Sequence, residues 1–278
     1  MTLHDFISNA LAEDIGSGDH TSLACIPEQA VSKAHLLVKD NGVLAGVQVA
    51  LEIFKQVDAS LKTSVFIQDG AAIKKGDVVL HVEGKAQSIL KAERLVLNCM
   101  QRMSGIATAT SLIVSRLSGL KTKVLDTRKT TPGMRLLEKM AVKIGGGENH
   151  RFGLYDMIMI KDNHNDYAGG IEKAIHAANA YIDEHKLALK IEIEARNLAE
   201  VNEILSIGKV NRIMLDNFSL TDLKTAVELI NGKYETEASG GITLDTIRDY
   251  ALCGVDYISV GALTHSVKSL DLSLKAIN

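Results

Sequence analysis

From about residue 120 onward the sequence repeats one unit, a short strand-like run followed by an amphipathic helical pattern. The runs fall at residues 123–126, 157–161, 190–194, 212–216, 235–239 and 257–261, and the last four begin roughly 22 residues apart. Strands joined through helices at this distance cannot form hairpins. They need crossover connections, which build a parallel sheet with helices outside it. The ~150 residues available make six or seven such units rather than eight. The expected fold class is therefore α/β, an incomplete TIM-like (β/α) barrel of six to seven strands. Helix starts support the division: Asn197 with Glu200, and Ser219 with Asp222, place a side-chain oxygen over orphan amide donors. Asn231-Gly232 is a fitting left-handed stop, and Leu220, Leu223, Val227 and Ile230 line one helical face between.

The first hundred residues read differently. Leu3, Phe6, Ile7 and Ala10 share one face of a helix over 2–13, and a turn-rich stretch covers 14–19. Short extended runs follow at 34–39, 42–45, 63–68 and 77–82, separated by Asn41-Gly42, Asp69-Gly70 and Gly76-Asp77. One helix over 47–57 interrupts them, which predicts a small α+β domain with an open sheet. A long helix from Ala86 to about Leu117 then bridges to the barrel. The expected domains are 1–105 and 106–278, with the extreme C-terminus packing back on the first.

Composition narrows the function. With 46% apolar and 23% charged residues the chain can bury a sizeable core, and a net charge of −3 gives no field to attract nucleic acid or anionic lipid. Aromatics are only 4%, without Trp, so a base-stacking platform is not expected. Apolar runs are far too short for a membrane span, and the first twenty residues lack the apolar stretch of a signal peptide. Cys25, Cys99 and Cys253 have no metal or disulfide spacing and read as reduced core residues, so a cytoplasmic address is expected.

Barrel enzymes carry their reactive groups at the carboxyl ends of the strands. Here Asp126-Thr127-Arg128-Lys129, Lys161-Asp162-Asn163-His164, Glu192 with Glu194, Asp216-Asn217 and Glu237-Ala238-Ser239 all close strands. From Thr127 to Lys161 there are seven Lys or Arg against three acids, inside a chain that is acidic overall. Lys139 and Lys143 fit a solvated i,i+4 helix surface. Arg128, Lys129, Arg151 and Lys161 lie instead at strand ends or beside glycines, and a guanidinium fork binds two oxygens of a carboxylate or phosphate at once. A small, multiply anionic substrate is expected. Ser239-Gly240-Gly241, ahead of a helix starting near Thr243, and Val260-Gly261-Ala262 close the last two strands, the usual phosphate position, although simple turn geometry would also call for glycine. Gly145–Gly147 reads as a flexible loop delivering His150 and Arg151. Glu192 and Asp216 can hold Mg²⁺ or ribose hydroxyls, or form a buried ion pair.

Taken together these residues resemble the quinolinate phosphoribosyltransferase family, also called nicotinate-nucleotide pyrophosphorylase (carboxylating). The resemblance lies in residues 126–133 (DTRKTTPG), 145–151 (GGGENHR), 161–164 (KDNH), 215–218 (LDNF), 237–241 (EASGG) and 260–265 (VGALTH), with 12–22, 92–94 and 104–107 upstream. It spans nearly the whole chain, in order. It implies transfer of phosphoribose from phosphoribosyl pyrophosphate to quinolinate, with Mg²⁺, giving nicotinate mononucleotide, pyrophosphate and CO₂ in NAD biosynthesis. Carried over by residue, Arg128, His150, Arg151 and Lys161 would hold the quinolinate carboxylates, with Thr127 beside them. Lys129 would meet the pyrophosphate, and Glu192 and Asp216 the ribose and metal. Ser239, Gly240, Gly241, Val260, Gly261 and Ala262 would seat the 5′-phosphate. Lys129, Lys161, Glu192 and Asp216 are the expected catalytic set. The family's homodimer implies that Arg94 reaches the partner subunit's site. Competing expectations are a paralogous phosphoribosyltransferase-like protein of metal-uptake operons, a sugar-phosphate isomerase or lyase, and a non-enzymatic binding protein.

Overall fold

Local sequence sets the elements of the N-terminal half. The structure, a computed structural model, describes residues 2–277. In chain order come α1 (Leu3–Ile15), α2 (His20–Cys25), β1 (Val31–Val38), β2 (Gly42–Val43), α3 (Val47–Val57), β3 (Lys62–Val65), β4 (Ala72–Ile73), β5 (Val78–Lys85) and the long α4 (Ala86–Arg116). Thr2 caps α1 by accepting from the Asp5 N–H, and Asp5 answers by accepting from the Thr2 N–H at 2.9 Å. Then follow β6 (Lys123–Leu125), α5 (Arg135–Ile144), β7 (Ile158–Ile160), α6 (Asp162–Ala168), α7 (Ile171–His185), β8 (Ile191–Ala195), α8 (Leu198–Ile207), β9 (Arg212–Asp216), α9 (Leu220–Ile230), β10 (Glu235–Ser239), α10 (Ile247–Leu252), β11 (Tyr257–Ser259), α11 (Ala262–His265) and β12 (Leu272–Ala276).

The chain divides into two compact units. The first holds residues up to Ser111, Thr130–Gly146 and the segment from Leu263 onward. Its antiparallel sheet has the order β12-β1-β5-β3, and β2 and β4 form a separate pair. Strand alternation sends Ala34, Leu36 and Val38 into the core and leaves His35 and Leu37 half-buried on the other face. Cys99 is buried, where burial pushes its thiol up to about 12, but Cys25 is exposed, contrary to its expected place in the core. Two further readings change within this unit. Lys139 lies at 2% exposure on α5 rather than on a solvated surface. The Gly145–Gly147 run begins as packing, not as slack: a Cβ on Gly145 would stand 2.5 Å from the Ala107 carbonyl oxygen and 2.7 Å from Thr110.

The second unit, Leu112–Lys129 with Gly147–Ala262, is the βα repeat. Its six parallel strands run β6-β11-β10-β9-β8-β7, and a parallel bridge between Leu125 and Glu148 adds a short seventh extended segment beside β6. This is the incomplete barrel that the repeat predicts. The expected caps form: Asn197 accepts from the Glu200 N–H, Ser219 accepts from the Asp222 N–H, and Asn231 takes a left-handed conformation with φ 45°. The helix after Gly241 begins at Ile247 rather than near Thr243, because Thr243 and Thr246 first form a turn in which the Thr243 carbonyl accepts from the Ile247 N–H. Strand alternation gives Ile191, Ile193, Ile213, Leu215, Thr236 and Ala238 to one face. Glu192, Glu194, Arg212, Met214, Asp216, Glu235, Glu237 and Ser239 share the other, inner face.

Within the first unit one arginine joins segments far apart in sequence. Arg102 donates to Glu138 Oε1 from Nε (3.1 Å) and Nη2 (2.8 Å), and also to the Val267 and Thr264 carbonyls. Glu138 is fully buried, and its other oxygen accepts from the Thr131 N–H at 3.1 Å. Removing one partner of such a pair leaves an uncompensated buried charge. Arg102→Met is expected to cost about 3 kcal/mol in denaturant unfolding, and Arg102→Met with Glu138→Leu to regain most of it.

Candidate active site

The inner face of the second unit sorts its charges by depth. Arg212, Glu235 and Tyr257 are the first residues of their strands, and they form the lower layer. Arg212 Nη1 donates to Glu237 Oε2 at 3.0 Å, its Nε and Nη2 reach Glu235 Oε2 at 3.3 and 3.1 Å, and its guanidinium lies 4.1 Å from the Tyr257 ring centroid. Glu192 and Glu237 are both at 0% exposure. Between them stands His150, whose Nε2 is 3.0 Å from Glu192 Oε2 and 3.4 Å from Glu237 Oε2. In its neutral form the His150 ring accepts the Arg151 backbone N–H on Nδ1 at 2.7 Å and carries its hydrogen on Nε2, facing the carboxylates. Asp126 fixes the same segment from the side, accepting from the His150 N–H at 2.8 Å and from Asn149 Nδ2 at 2.6 Å.

Above this layer lies the rim. Arg151 donates to the Met157 carbonyl at 3.3 Å, and burial and the neighbouring Arg128 cation hold its pKa below the usual guanidinium value. Lys161 Nζ is 3.5 Å from Glu194 Oε2. Burial raises the Glu194 pKa, with Asp216 and Asp162 adding to the rise and Lys161 opposing it. Asp216 accepts from Asn217 Nδ2 at 2.6 Å, and the Asn217 N–H reaches the Ser239 carbonyl at 2.8 Å. Gly240 sits at φ +102°, where a Cβ would meet the Asn217 side chain and stand 3.0 Å from its backbone nitrogen. The residue must be glycine for the chain to turn so closely over Asn217. The Val260 N–H bonds the Leu125 carbonyl at 2.9 Å, which brings the 260–262 segment to the end of β6.

The second unit thus gathers Thr127, Arg128, Lys129, His150, Arg151, Lys161, Asp216, Ser239–Gly241 and Val260–Ala262 at or beside the ends of its strands. Glu192 is on the same strand as Glu194 but one layer deeper, enclosed by His150, Glu237 and Arg212. Glu194 is the acid of that strand that meets Lys161 and Asp216. Arg94 is exposed on α4 and belongs to the first unit. His164 Nδ1 accepts from the Lys161 N–H at 2.9 Å, and His265 lies 2.6 Å from the Ser266 hydroxyl. On sequence grounds Glu194 and Glu237 were strand-end residues of the rim without a specific role, and Arg212 was not singled out. Their signal was the period-two alternation, which shows which residues share a face with Glu192.

Comparison with known proteins shows the family. Residues 19–104 match the description "Quinolinate phosphoribosyl transferase, N-terminal domain" and residues 106–275 match "Quinolinate phosphoribosyl transferase, C-terminal domain". The chain belongs to the quinolinate phosphoribosyltransferase family. It is 49% identical over 288 residues to quinolinate phosphoribosyltransferase [decarboxylating] 1b of Nicotiana tabacum, covering 98% of this chain and 82% of that one. It is 42% identical to the probable nicotinate-nucleotide pyrophosphorylase [carboxylating] of Bacillus subtilis, covering 99% and 93%. Among solved structures, NadC from Streptococcus pyogenes superposes with a TM-score of 0.93 at 41% identity, covering 99% of this chain and 97% of that one.

In this family member the buried trio has a pH signature. Burial and Glu237 push Glu192 up to about 7, against the opposing pull of His150 and Arg212. Burial disfavours charge on His150, but its two carboxylate neighbours outweigh that and raise it to about 9. Burial also opposes ionisation of Glu237, yet His150, Ser259 and Arg212 hold it below its ordinary value. Groups raised on folding contribute stability that is lost as pH rises through their folded values, first Glu192 and then His150; Glu237 contributes stability lost only in acid. The Tm is expected to fall on the order of 5 °C between about pH 6.5 and 9.5, and His150→Gln to flatten much of that slope in a thermal-melt series.

Proposed function

We propose that this chain is a decarboxylating quinolinate phosphoribosyltransferase of NAD biosynthesis, with its site at the strand ends of the second unit. The observation that carries the reading is the pairing of Arg128 with Arg151. The Arg128 charge acts on a partly desolvated Arg151, and a ligand that brings two negative charges relieves that repulsion. A pyridine with adjacent carboxylates does so, and each planar carboxylate matches a guanidinium fork. Lys161 adds a third cation at the end of β7, steadied by Glu194.

In this reading the carboxylate clamps orient the ring nitrogen toward C1 of the phosphoribosyl group, which removes most of the entropic barrier. The nitrogen–C1 bond forms as the C1–oxygen bond to pyrophosphate breaks, and Lys129 meets the departing charge. The pyridinium nitrogen then draws the electron pair released when the adjacent carboxylate leaves as CO₂, and a proton takes its place on the ring carbon. Backbone amides of Gly240, Gly241 and Gly261, flanked by Ser239, Val260 and Ala262, seat the 5′-phosphate.

Mg²⁺ is part of the proposal. Glu194 and Asp216 fit it, being hard carboxylate donors on neighbouring strands that interact electrostatically at the rim. The other group of ligand types, His150, Glu192 and Glu237, lies within 4.8 Å but does not fit: Arg212 already neutralises it at 3.0 Å, and both acids are sealed from solvent. We therefore assign Glu194, not Glu192, to the ribose and metal with Asp216. Bound there, Mg²⁺ would neutralise charge on the leaving pyrophosphate.

The proposal also includes a homodimer in which the exposed Arg94 serves the partner's site, and a cytoplasmic address, supported by three unpaired cysteines. Among the described residues no helix is long and apolar enough to cross a membrane. The test is turnover of quinolinate and phosphoribosyl pyrophosphate with Mg²⁺. Nicotinate mononucleotide, pyrophosphate and CO₂ are expected in equal amounts, with kcat/KM lowered roughly a thousandfold in Arg128→Ala and about a hundredfold in Lys161→Ala. Mixing Arg94→Ala with Arg128→Ala chains should restore activity, because one site of each mixed dimer is then intact. Absence of quinolinate-dependent pyrophosphate release from folded protein would overturn the reading.

A further inference from the structure

The charged layer beneath the rim connects upward to it. Arg212 and His150 share the same two oxygen atoms. Glu237 Oε2 lies 3.0 Å from Arg212 Nη1 and 3.4 Å from His150 Nε2. Glu192 Oε2 lies 3.9 Å from that Nη1 and 3.0 Å from that Nε2. The four groups form a closed square of alternating charge preference, buried at every corner but Arg212, whose side chain is 13% exposed. Two further contacts fix Arg212 in place, the Glu235 carboxylate and the face of Tyr257. From the opposite corner, His150 takes the Arg151 backbone N–H on Nδ1, and Arg151 is one half of the guanidinium pair at the rim.

We propose that Arg212 is a positioning residue for the reaction, acting on Arg151 through the Glu192–Glu237 pair and the His150 ring. The inference rests on the functional reading above. Without the guanidinium, two buried carboxylates face each other across one imidazole. One of them must then take up a proton or turn away, and the ring loses the opposed pair of acceptors that aims Nδ1 at the Arg151 N–H. Quinolinate binding should weaken because one guanidinium has lost its register; the phosphate loops at Gly240 and Gly261 follow β10 and β11, which hold Glu237 and its partner Ser259, and offer backbone amides rather than a charged side chain that must keep its register.

Three variants separate this from a merely structural role. Arg212→Met is expected to raise the KM for quinolinate at least tenfold, leaving kcat within about threefold and the KM for phosphoribosyl pyrophosphate within about twofold. Arg212→Lys, whose single ammonium reaches one carboxylate at a time, should fall between and tests the point should Arg212→Met not fold. Arg212→Met with Glu237→Gln removes one charge of each sign and should recover much of the loss. A second readout does not depend on the substrate. With ¹⁵N-labelled histidine, the ring of His150, assigned by His150→Gln and observed above its titration at about pH 10, should show hydrogen on Nε2 and an acceptor Nδ1 in the wild type, and a changed signature in Arg212→Met. Folded Arg212 variants that lower kcat and worsen both KM values equally, or that keep the wild-type His150 signature, would overturn the proposal. Should the wild type itself lack quinolinate turnover, the functional reading fails, and the histidine signature still decides the role of Arg212.

Discussion

Charge inside a parallel sheet is the constraint on which the second unit depends. Barrel interiors are ordinarily filled by branched apolar side chains. Here the apolar half of each strand, Ile191 and Ile193 or Ile213 and Leu215, faces the outer helices, and the inner face carries Glu192, Arg212, Glu235 and Glu237. An isolated carboxylate in that position would cost several kcal/mol. The interior is tolerable only as a set, with Arg212 shared among three acids and His150 inserted between two of them. None of these groups can be exchanged singly, which also keeps the geometry fixed.

That fixed interior explains why the rim can be cationic. The Arg128 charge disfavours that of Arg151, while Glu192 and Asp156 favour it. The placement of Arg151 is held by a short chain of hydrogen bonds. Asp126 grips the His150 N–H, His150 grips the Arg151 N–H, and the Met157 carbonyl takes the Arg151 side chain. The repulsion is thereby built into the folded state, and a ligand carrying two negative charges relieves it on arrival. This is preorganisation in the electrostatic sense, with little rearrangement left for the moment of reaction.

Much of the second unit was legible in the sequence because its signals are local. The repeat length, the capping pairs at Asn197 and Ser219, and the stop at Asn231 each act within one helical turn or one βα unit. Depth was not legible. Glu192 and Glu194 are two residues apart on one strand face, and alternation alone cannot say which stands at the rim and which at the floor. That distinction needs the register, in which Glu192 pairs with Arg212 and Glu194 with Met214. Lys139 and Gly145 misled for a related reason. Gly145 packs on Ala107 and Thr110 of α4 and Lys139 is buried, so an i,i+4 pattern and a glycine run looked like surface and slack. The strand Leu272–Ala276 joins β1 from the far end of the chain, a pairing of which only its final destination, not its register, could be anticipated.

The same logic limits what the family resemblance could deliver. Motif order points to the family, and DTRK, NHR and KDNH bring cations to strand ends of one unit. It does not apportion roles within a strand. Arg212 lies in no phosphate-loop or carboxylate-binding motif, and it is the first residue of its strand, a position that in barrels usually serves stability. Its importance emerges only from atoms it shares: two carboxylate oxygens that also define the environment of His150. A residue can therefore govern the substrate without approaching it, provided the intervening groups are buried, charged and unable to rearrange independently. The second unit meets all three conditions between Arg212 and Arg151.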